Sequence, residues 1–501
     1  MAKNLGHQTK QGLLWLSVFN SVEFVIRFGS QIVLARILFP EDFGLMGVIM
    51  IIAQFARNTA SFGFNQALVQ LKNIKKEHYN TVFVFNAGLM TVVTASLFFS
   101  APYIADFFND QRLTPMIKVI SFDFVLRSLF LTQVSELNRK MRFKETLFVS
   151  TMRGIVNVVS PIIFALLGYG VWSLVWGYML GTVVLVIGFN YFCPRLPRLE
   201  FHMWALKDIM SFSFWNFINK NVVYLMDNVD RLVIAKWLDV AQLGFYERAY
   251  NLRRIPSRQI TRKINSVMFP AYSRMQDNKA QTVSALRKVI KYVSFLSYPL
   301  MVWMFFVSPS FVTVAYGTKW QPVIVPLQIM CISGIIIPLS QIFNPVLLAM
   351  GWVSQRVIIQ TIYLVILILS IVYCLKWGII GVAWATTLSS ATLLVMTSGY
   401  IMRRLSMTAA ELFKAQKSPL VYGLVQISLL VVLEIITAPF FTLYSWQMLI
   451  LVSVVSFVGY SGAHFLFRFE DIDDIFQEFV KEGKKFVKKL PVLNRLGVFK
   501  T

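Results

Sequence analysis

The sequence predicts an all-α, polytopic integral membrane protein of about fourteen transmembrane helices, built as two pseudo-symmetric six-helix lobes with two C-terminal helices appended. Three observations predict it. Of 501 residues, 56% are hydrophobic and 15% aromatic, and only 14% are charged, against about 25% in soluble domains. A soluble chain of this size would not stay in solution with so few charges, so the membrane is the default. Lysine and arginine are concentrated in alternate loops. Short segments recur at an offset of 200 residues.

Apolar runs of about 20 residues, enough to cross the hydrocarbon core, lie near 13–34, 44–68, 81–105, 116–137, 146–167, 171–192, 209–234, 242–269, 289–314, 323–348, 357–375, 379–401, 420–440 and 446–467. The first is too long, and with Glu23 and Arg27 too charged, for a cleaved signal peptide. Connections are short, which leaves no extramembrane domain. With the N-terminus inside, the inner segments hold 29 Lys+Arg, 8 of them in the last segment. The outer loops hold Arg36, Arg112, Lys236, Lys319 and Lys376. This split predicts that both termini are cytoplasmic. A hydropathy window rejects 242–269, which carries Glu247, Arg248, Arg253, Arg254, Arg258, Arg262 and Lys263. If that stretch did not cross, every later loop would invert and the basic tail would face outside, so the charge bias predicts that it spans.

The repeat is independent of hydropathy. Leu34-Ala35-Arg36-Ile37-Leu38 followed by Phe43-Gly44 matches Ile234-Ala235-Lys236-Trp237-Leu238 followed by Leu243-Gly244. Gly168-Tyr169-Gly170-Val171-Trp172 opens the sixth helix as Lys376-Trp377-Gly378-Ile379-Ile380 opens the twelfth. The expected domains are an N-lobe at 1–195, a C-lobe at 196–405, two further helices at 406–468, and a cytoplasmic amphipathic basic tail at 469–501. In the tail, Ile472, Ile475, Phe476, Phe479 and Val480 follow helical spacing, beside lysines suited to anionic lipid heads. Two packed lobes with a midplane cavity are the architecture of a transporter.

Several classes are excluded. Cys193, Cys331 and Cys374 are far apart and form no disulfide framework. The four histidines are isolated, which leaves no metal site, and no nucleotide-binding loop, nucleophile elbow or zinc-protease motif occurs. Asp471-Ile472-Asp473 has the spacing of a glycosyltransferase metal motif, but lies in the charged tail. Nothing proposes an enzyme or a resident cofactor. The net charge of +24 would indicate nucleic acid in a soluble chain; here its partition between loops is a topology signal.

Arg36-Ile37-Leu38-Phe39-Pro40-Glu41-Asp42-Phe43-Gly44 resembles the turn after the first helix of polysaccharide exporters, the lipid-linked oligosaccharide flippases of the multidrug/oligosaccharidyl-lipid/polysaccharide (MOP) superfamily. Tyr250-Asn251-Leu252, then Phe269-Pro270-Ala271-Tyr272 with Met275-Gln276-Asp277, is similar to the eighth helix and following loop of colanic acid and teichuronic acid exporters. Gly317-Thr318-Lys319-Trp320 resembles their turn after the ninth helix. The resemblance covers roughly 10–400 and implies export of a polyprenyl-diphosphate-linked oligosaccharide across a bacterial inner membrane. The very basic eighth helix departs from the group.

Charges inside the membrane carry the functional expectation. An ionised side chain at mid-span costs roughly 2.5–3.5 kcal/mol, so the six bases of the eighth span cannot all face lipid. At about 100° per residue, Glu247, Asn251, Arg254, Arg258, Arg262 and Asn265 share one stripe, a polar face suited to an anion. The competing expectation is a lattice of structural ion pairs. Acid–base pairs at i,i+4 occur at Glu23/Arg27, Asp123/Arg127 and Asp227/Arg231; the first and last lie on repeat-related spans expected to line the cavity. Guanidinium forks match diphosphate oxygens, which nominates Arg27, Arg231, Arg254, Arg258, Arg262 and Asn251 as substrate ligands. With no nucleotide motif, transport is coupled to H⁺ or Na⁺ or runs downhill, and Glu23, Asp227 and Asp230 are the acids available for coupling. Expected partners are the lipid-linked oligosaccharide, membrane lipids, and polysaccharide polymerase or glycosyltransferases. Competing functions are an ion-coupled multidrug exporter, which the basic interior opposes, and a membrane polysaccharide polymerase, for which the outer loops are too short.

Overall fold

A computed structural model describes residues 23–61, 68, 74–194 and 198–467. The start of the first expected span and the amphipathic tail at 469–501 lie outside the described residues. Among these residues there is no strand. Helices run over 23–37 (α1), Pro40–Ser61 (α2), Lys76–Phe107 (α3), Leu113–Ser128 (α4), Leu131–Arg139 (α5), Phe143–Leu166 (α6), Trp172–Phe192 (α7), Met203–Trp237 (α8) and Val240–Arg253 (α9). They continue with Arg262–Arg274 (α10), Lys279–Phe311 (α11), Ile324–Ala349 (α12), Val353–Cys374 (α13), Gly378–Leu405 (α14), Ala409–Thr437 (α15) and Trp446–Phe467 (α16).

Eight stretches among the described residues are long and apolar enough to cross a membrane. One of them, Val353–Leu405, holds both α13 and α14, separated by a 3-10 turn at Leu375–Trp377 and by Gly378 at φ 63°. Within the described residues, the other expected spans also lie on helices, which are shorter or more polar. The span expected at 116–137 is two helices, α4 and α5, broken at Leu129–Phe130. The span expected at 242–269 is α9, a π turn at Ser257–Thr261, and α10. Pro256 lacks an amide and its ring crowds the carbonyl one turn back, so the ladder resumes after it with the wider i→i+5 pattern.

The chain packs as two compact units, Met1–Arg248 with Ala315–Trp320, and Ala249–Val314 with Gln321–Thr501. In the first, α6 lies along α7 and α3 along α4. Gly177, Gly181 and Gly188 of α7 face Pro161, Asn157 and Val149 of α6, the small-residue contact that lets membrane helices approach closely. In the second, α11, α12 and α14 enclose a core that includes Leu286, Ile290, Val293, Ile342, Val346 and Ile401. Side chains such as Val365, Leu369 and Val372 of α13 are exposed, the apolar exterior of a helix facing lipid.

Candidate functional site

The repeated turn is built around two glycines. Pro40 and Val240 start α2 and α9, and Asp42 and Asp239 accept the amides of Phe39 and Gln242 at 2.8 Å and 2.6 Å, each holding a helix start. A Cβ on Gly44 would overlap the Val240 carbonyl, and one on Gly244 would overlap the Pro40 carbonyl. The contact is reciprocal: each copy of the turn presents its glycine to the other copy's first carbonyl.

Tyr316–Trp320 closes over the same place. The last carbonyls of α1 have no partner within the helix. The Trp320 indole donates to the Ala35 carbonyl at 2.8 Å, and Lys319 Nζ donates to those of Arg36 and Leu38 at 2.9 Å and 2.6 Å. The ammonium also suits the negative end of the helix dipole. Arg36 Nε in turn donates to the Ala315 carbonyl at 2.8 Å. Arg248 is 4% exposed. Its guanidinium carbon lies 3.8 Å from the Phe43 ring centroid, 5.4 Å from that of Trp320 and 5.8 Å from that of Tyr316, and it donates to Gln31 Oε1 at 2.7 Å. Sequence reasoning counted Arg248 among the bases of the eighth span and missed this cage. Two of the three motifs that carried the family resemblance were the available signal, since they supply Phe43 and Trp320.

A second constellation of the first unit surrounds Asp123, which is 0% exposed. Its Oδ2 accepts Arg127 Nε at 2.7 Å, the Tyr178 hydroxyl at 3.0 Å and Arg57 at 3.4 Å, while Oδ1 accepts the Thr182 hydroxyl at 2.7 Å. The expected Asp123/Arg127 pair is therefore present, with Arg57 added from α2. Arg153 of α6 lies within electrostatic reach of Asp123, Arg57 and Arg127.

Glu23 and Arg27 pair at 2.5 Å on α1, with side chains 37% and 58% exposed. Arg231 has partners on both α8 and α9. It meets Asp227 through the backbone carbonyl at 2.7 Å and pairs with Glu247 Oε1 at 2.9 Å. The chain turns back at Leu238, which lays Tyr246 and Glu247 beside Asp230 and Arg231. Asp230, 4% exposed, accepts the Tyr246 hydroxyl at 2.7 Å. Glu247, expected on the stripe with the arginines, is thus a partner of α8.

In the second unit, Arg253 is buried, its guanidinium 4.5 Å from the Tyr250 ring centroid and 3.2 Å from the Ser333 hydroxyl. Arg254 is half-buried and donates to the Tyr250 hydroxyl at 3.0 Å. Arg258 and Arg262 are exposed, and Arg258 reaches Asn251 Oδ1 at 3.5 Å. Asn265 donates to the Gln341 carbonyl at 2.9 Å. From 248 to 276 the chain has seven bases and no Asp or Glu, so this stretch can meet oxyanions and brings no carboxylate of its own. Among the described residues no His/Cys/Asp/Glu group is arranged to hold a metal.

Charged, polar helices set among apolar spans define a multi-pass membrane protein with a transporter fold. Residues 33–325 match the family described as polysaccharide biosynthesis protein, and the chain belongs to that family. It is 26% identical over 345 residues to the lipopolysaccharide biosynthesis protein WzxC of Escherichia coli K12, a match covering 68% of this chain and 70% of WzxC. It is 23% identical over 352 residues to the teichuronic acid biosynthesis protein TuaB of Bacillus subtilis 168, covering 69% of this chain and 72% of TuaB. The fold is that of the lipid II flippase MurJ in its inward closed conformation, with a TM-score of 0.72 at 17% identity over 93% of this chain and 99% of MurJ.

Proposed function

We propose that the protein exports a polyprenyl-diphosphate-linked oligosaccharide, the repeat unit of a surface polysaccharide, across a bacterial inner membrane by alternating access. The observation that carries this reading is the acid-free run of seven bases over 248–276, with Arg258 and Arg262 exposed and Arg254 half-buried. A diphosphate carries about two negative charges and many acceptor oxygens, and guanidinium is the side chain that forks onto them. Membership of the polysaccharide biosynthesis family supports a glycan cargo. Arg27 and Arg231 are the candidate diphosphate ligands on the repeat-related helices α1 and α8, and Asn251 is a partner for sugar hydroxyls. The prenyl tail stays in the bilayer while the head crosses. Both termini are cytoplasmic, and Glu23, Asp227 and Asp230 are the acids through which H⁺ or Na⁺ would be coupled. The expected neighbours in the cell are the glycosyltransferases that build the cargo and the polymerase that consumes it.

The test is the Arg254→Ala/Arg258→Ala double variant, with surface glycan measured per membrane-inserted molecule. Each lost charge-assisted contact is worth roughly 1.5–3 kcal/mol, so export should fall by roughly one to two decades for each arginine removed, with Lys substitutions restoring part of it. Normal export per molecule in the double variant would end the diphosphate assignment, whatever the change in expression.

A further inference from the structure

The Asp123 constellation presents its charges unequally. The carboxylate is fully enclosed, while the side chains of Arg57 and Arg127 keep 15% and 16% exposure, and Arg153 is half-buried. A group arriving there meets guanidinium and not carboxylate. The oxygens of Asp123 are already occupied: Arg127, Tyr178 and Arg57 share Oδ2, and Thr182 takes Oδ1. Arg153 is left over. Its Nε is buried and has no hydrogen-bond partner, although an unpaired buried donor on a cation is costly. Three arginines therefore stand around one aspartate, and the third keeps the Nε edge of its guanidinium without a partner.

The chemistry of that edge is specific. Nε–H and an adjacent Nη–H are parallel donors spaced for two coplanar oxygens on one carbon. A monoanionic carboxylate fits both the geometry and the charge, whereas a dianionic phosphoryl group would bring a second negative charge near the fixed Asp123. We propose that Arg153, flanked by Arg57 and Arg127 and backed by Asp123 and Tyr178, forms a second anion site, which takes the carboxylate of an acidic sugar in the cargo's glycan. The identity of that sugar as cargo rests on the function proposed above; the site's preference for carboxylate does not. Tyr178 serves as a positioning residue, because its hydroxyl accepts from Arg57 and Arg127 while donating to Asp123.

The full-length protein in lipid nanodiscs is titrated with sodium glucuronate, glucose and inorganic phosphate, and binding is followed by calorimetry. Glucuronate should bind and glucose should not. Arg153→Ala should weaken glucuronate by roughly ten- to a hundredfold, and Arg153→Lys should recover part of the loss; where the alanine variant does not insert, Arg153→Gln replaces it. A separate titration with farnesyl diphosphate should be unchanged by Arg153→Ala and weakened by Arg254→Ala/Arg258→Ala. Equal glucuronate binding by the wild-type and Arg153→Ala proteins would overturn the site. Phosphate binding that depends on Arg153, without glucuronate binding, would overturn the carboxylate assignment. Failure of farnesyl diphosphate alone to bind would count against the function proposed above and leave the carboxylate site standing.

Discussion

Around Arg248 the protein encloses a guanidinium with Phe43, Tyr316, Trp320 and the Gln31 amide, whereas ten residues later Arg258 is exposed and reaches Asn251 at 3.5 Å. Both belong to one run of bases, and their surroundings differ. Arg248 lies near the end of α1, where unpaired carbonyls draw in Trp320 and Lys319 and so bring aromatic rings to it. Arg258 lies beyond Pro256 in a π turn, where the helix consumes its own carbonyls and the neighbouring side chains add more positive charge. A basic residue in a membrane helix is therefore enclosed or left exposed according to what its neighbours already need. Charge alone does not decide it.

The largest effect that would break this comparison is steric. Gly44→Ala and Gly244→Ala each force a methyl group into a backbone carbonyl, and each should cost roughly 3 kcal/mol or more. Thermal unfolding of purified protein would show the loss, and a Gly47→Ala control, whose nearest neighbour is a Leu243 methyl at 3.4 Å, should change little. Two tolerated alanines would mean that the turns do not hold each other. Next in size, Arg248→Ala empties the aromatic cage and strands Gln31, for a loss of about 2–3 kcal/mol in stability. Arg258→Ala should do the reverse: stability within about 0.5 kcal/mol of wild type, but farnesyl diphosphate binding weaker by roughly tenfold. If Arg258→Ala destabilised as much as Arg248→Ala, the contrast would collapse.

The smallest effect is one of pH, at the polar start of α15 ahead of the apolar run expected at 420–440. Thr408 and Glu411 form a capping box at the start of α15, with Glu411 Oε2 accepting the Thr408 amide at 2.9 Å. That amide, followed by the Thr408 hydroxyl and the charge of Arg287, holds the Glu411 carboxyl below the ordinary glutamate range. A lowered folded value means that the cap contributes fully above that range and is lost as pH falls through the lowered value. Unfolding midpoints measured down an acid series should fall more for the wild type than for Glu411→Gln, which keeps a capping side chain that does not titrate.

Much of the fold was legible because its signals are periodic or compositional. Apolar runs placed the helices, and the offset of 200 found the turns whose glycines meet. The interruptions were less so. Pro256 marks the π turn in retrospect, but nothing local to Leu129–Phe130 announced the break between α4 and α5. In the candidate site, helical spacing identified Glu23/Arg27 and Asp123/Arg127, because i,i+4 neighbours are fixed by the helix itself. It did not reach the pairing of Glu247 with Arg231, because that depends on how α9 turns back along α8. The cage of Arg248 and the hydroxyls of Tyr178 and Thr182 on Asp123 were invisible for the same reason: their partners are distant in sequence.

The reciprocal seating of Gly44 and Gly244 also bears on how such a chain can change. Each glycine is required by a carbonyl from the other half, so neither position is free to drift while the other half keeps its backbone path. A duplicated ancestor would have carried the constraint twice from the start, and later divergence would relax everything around the turns before the turns themselves. Hybrid proteins inherit the same rule: a graft of the first half of this chain onto the second half of a relative can assemble only when both parents place a bare Cα at that crossing.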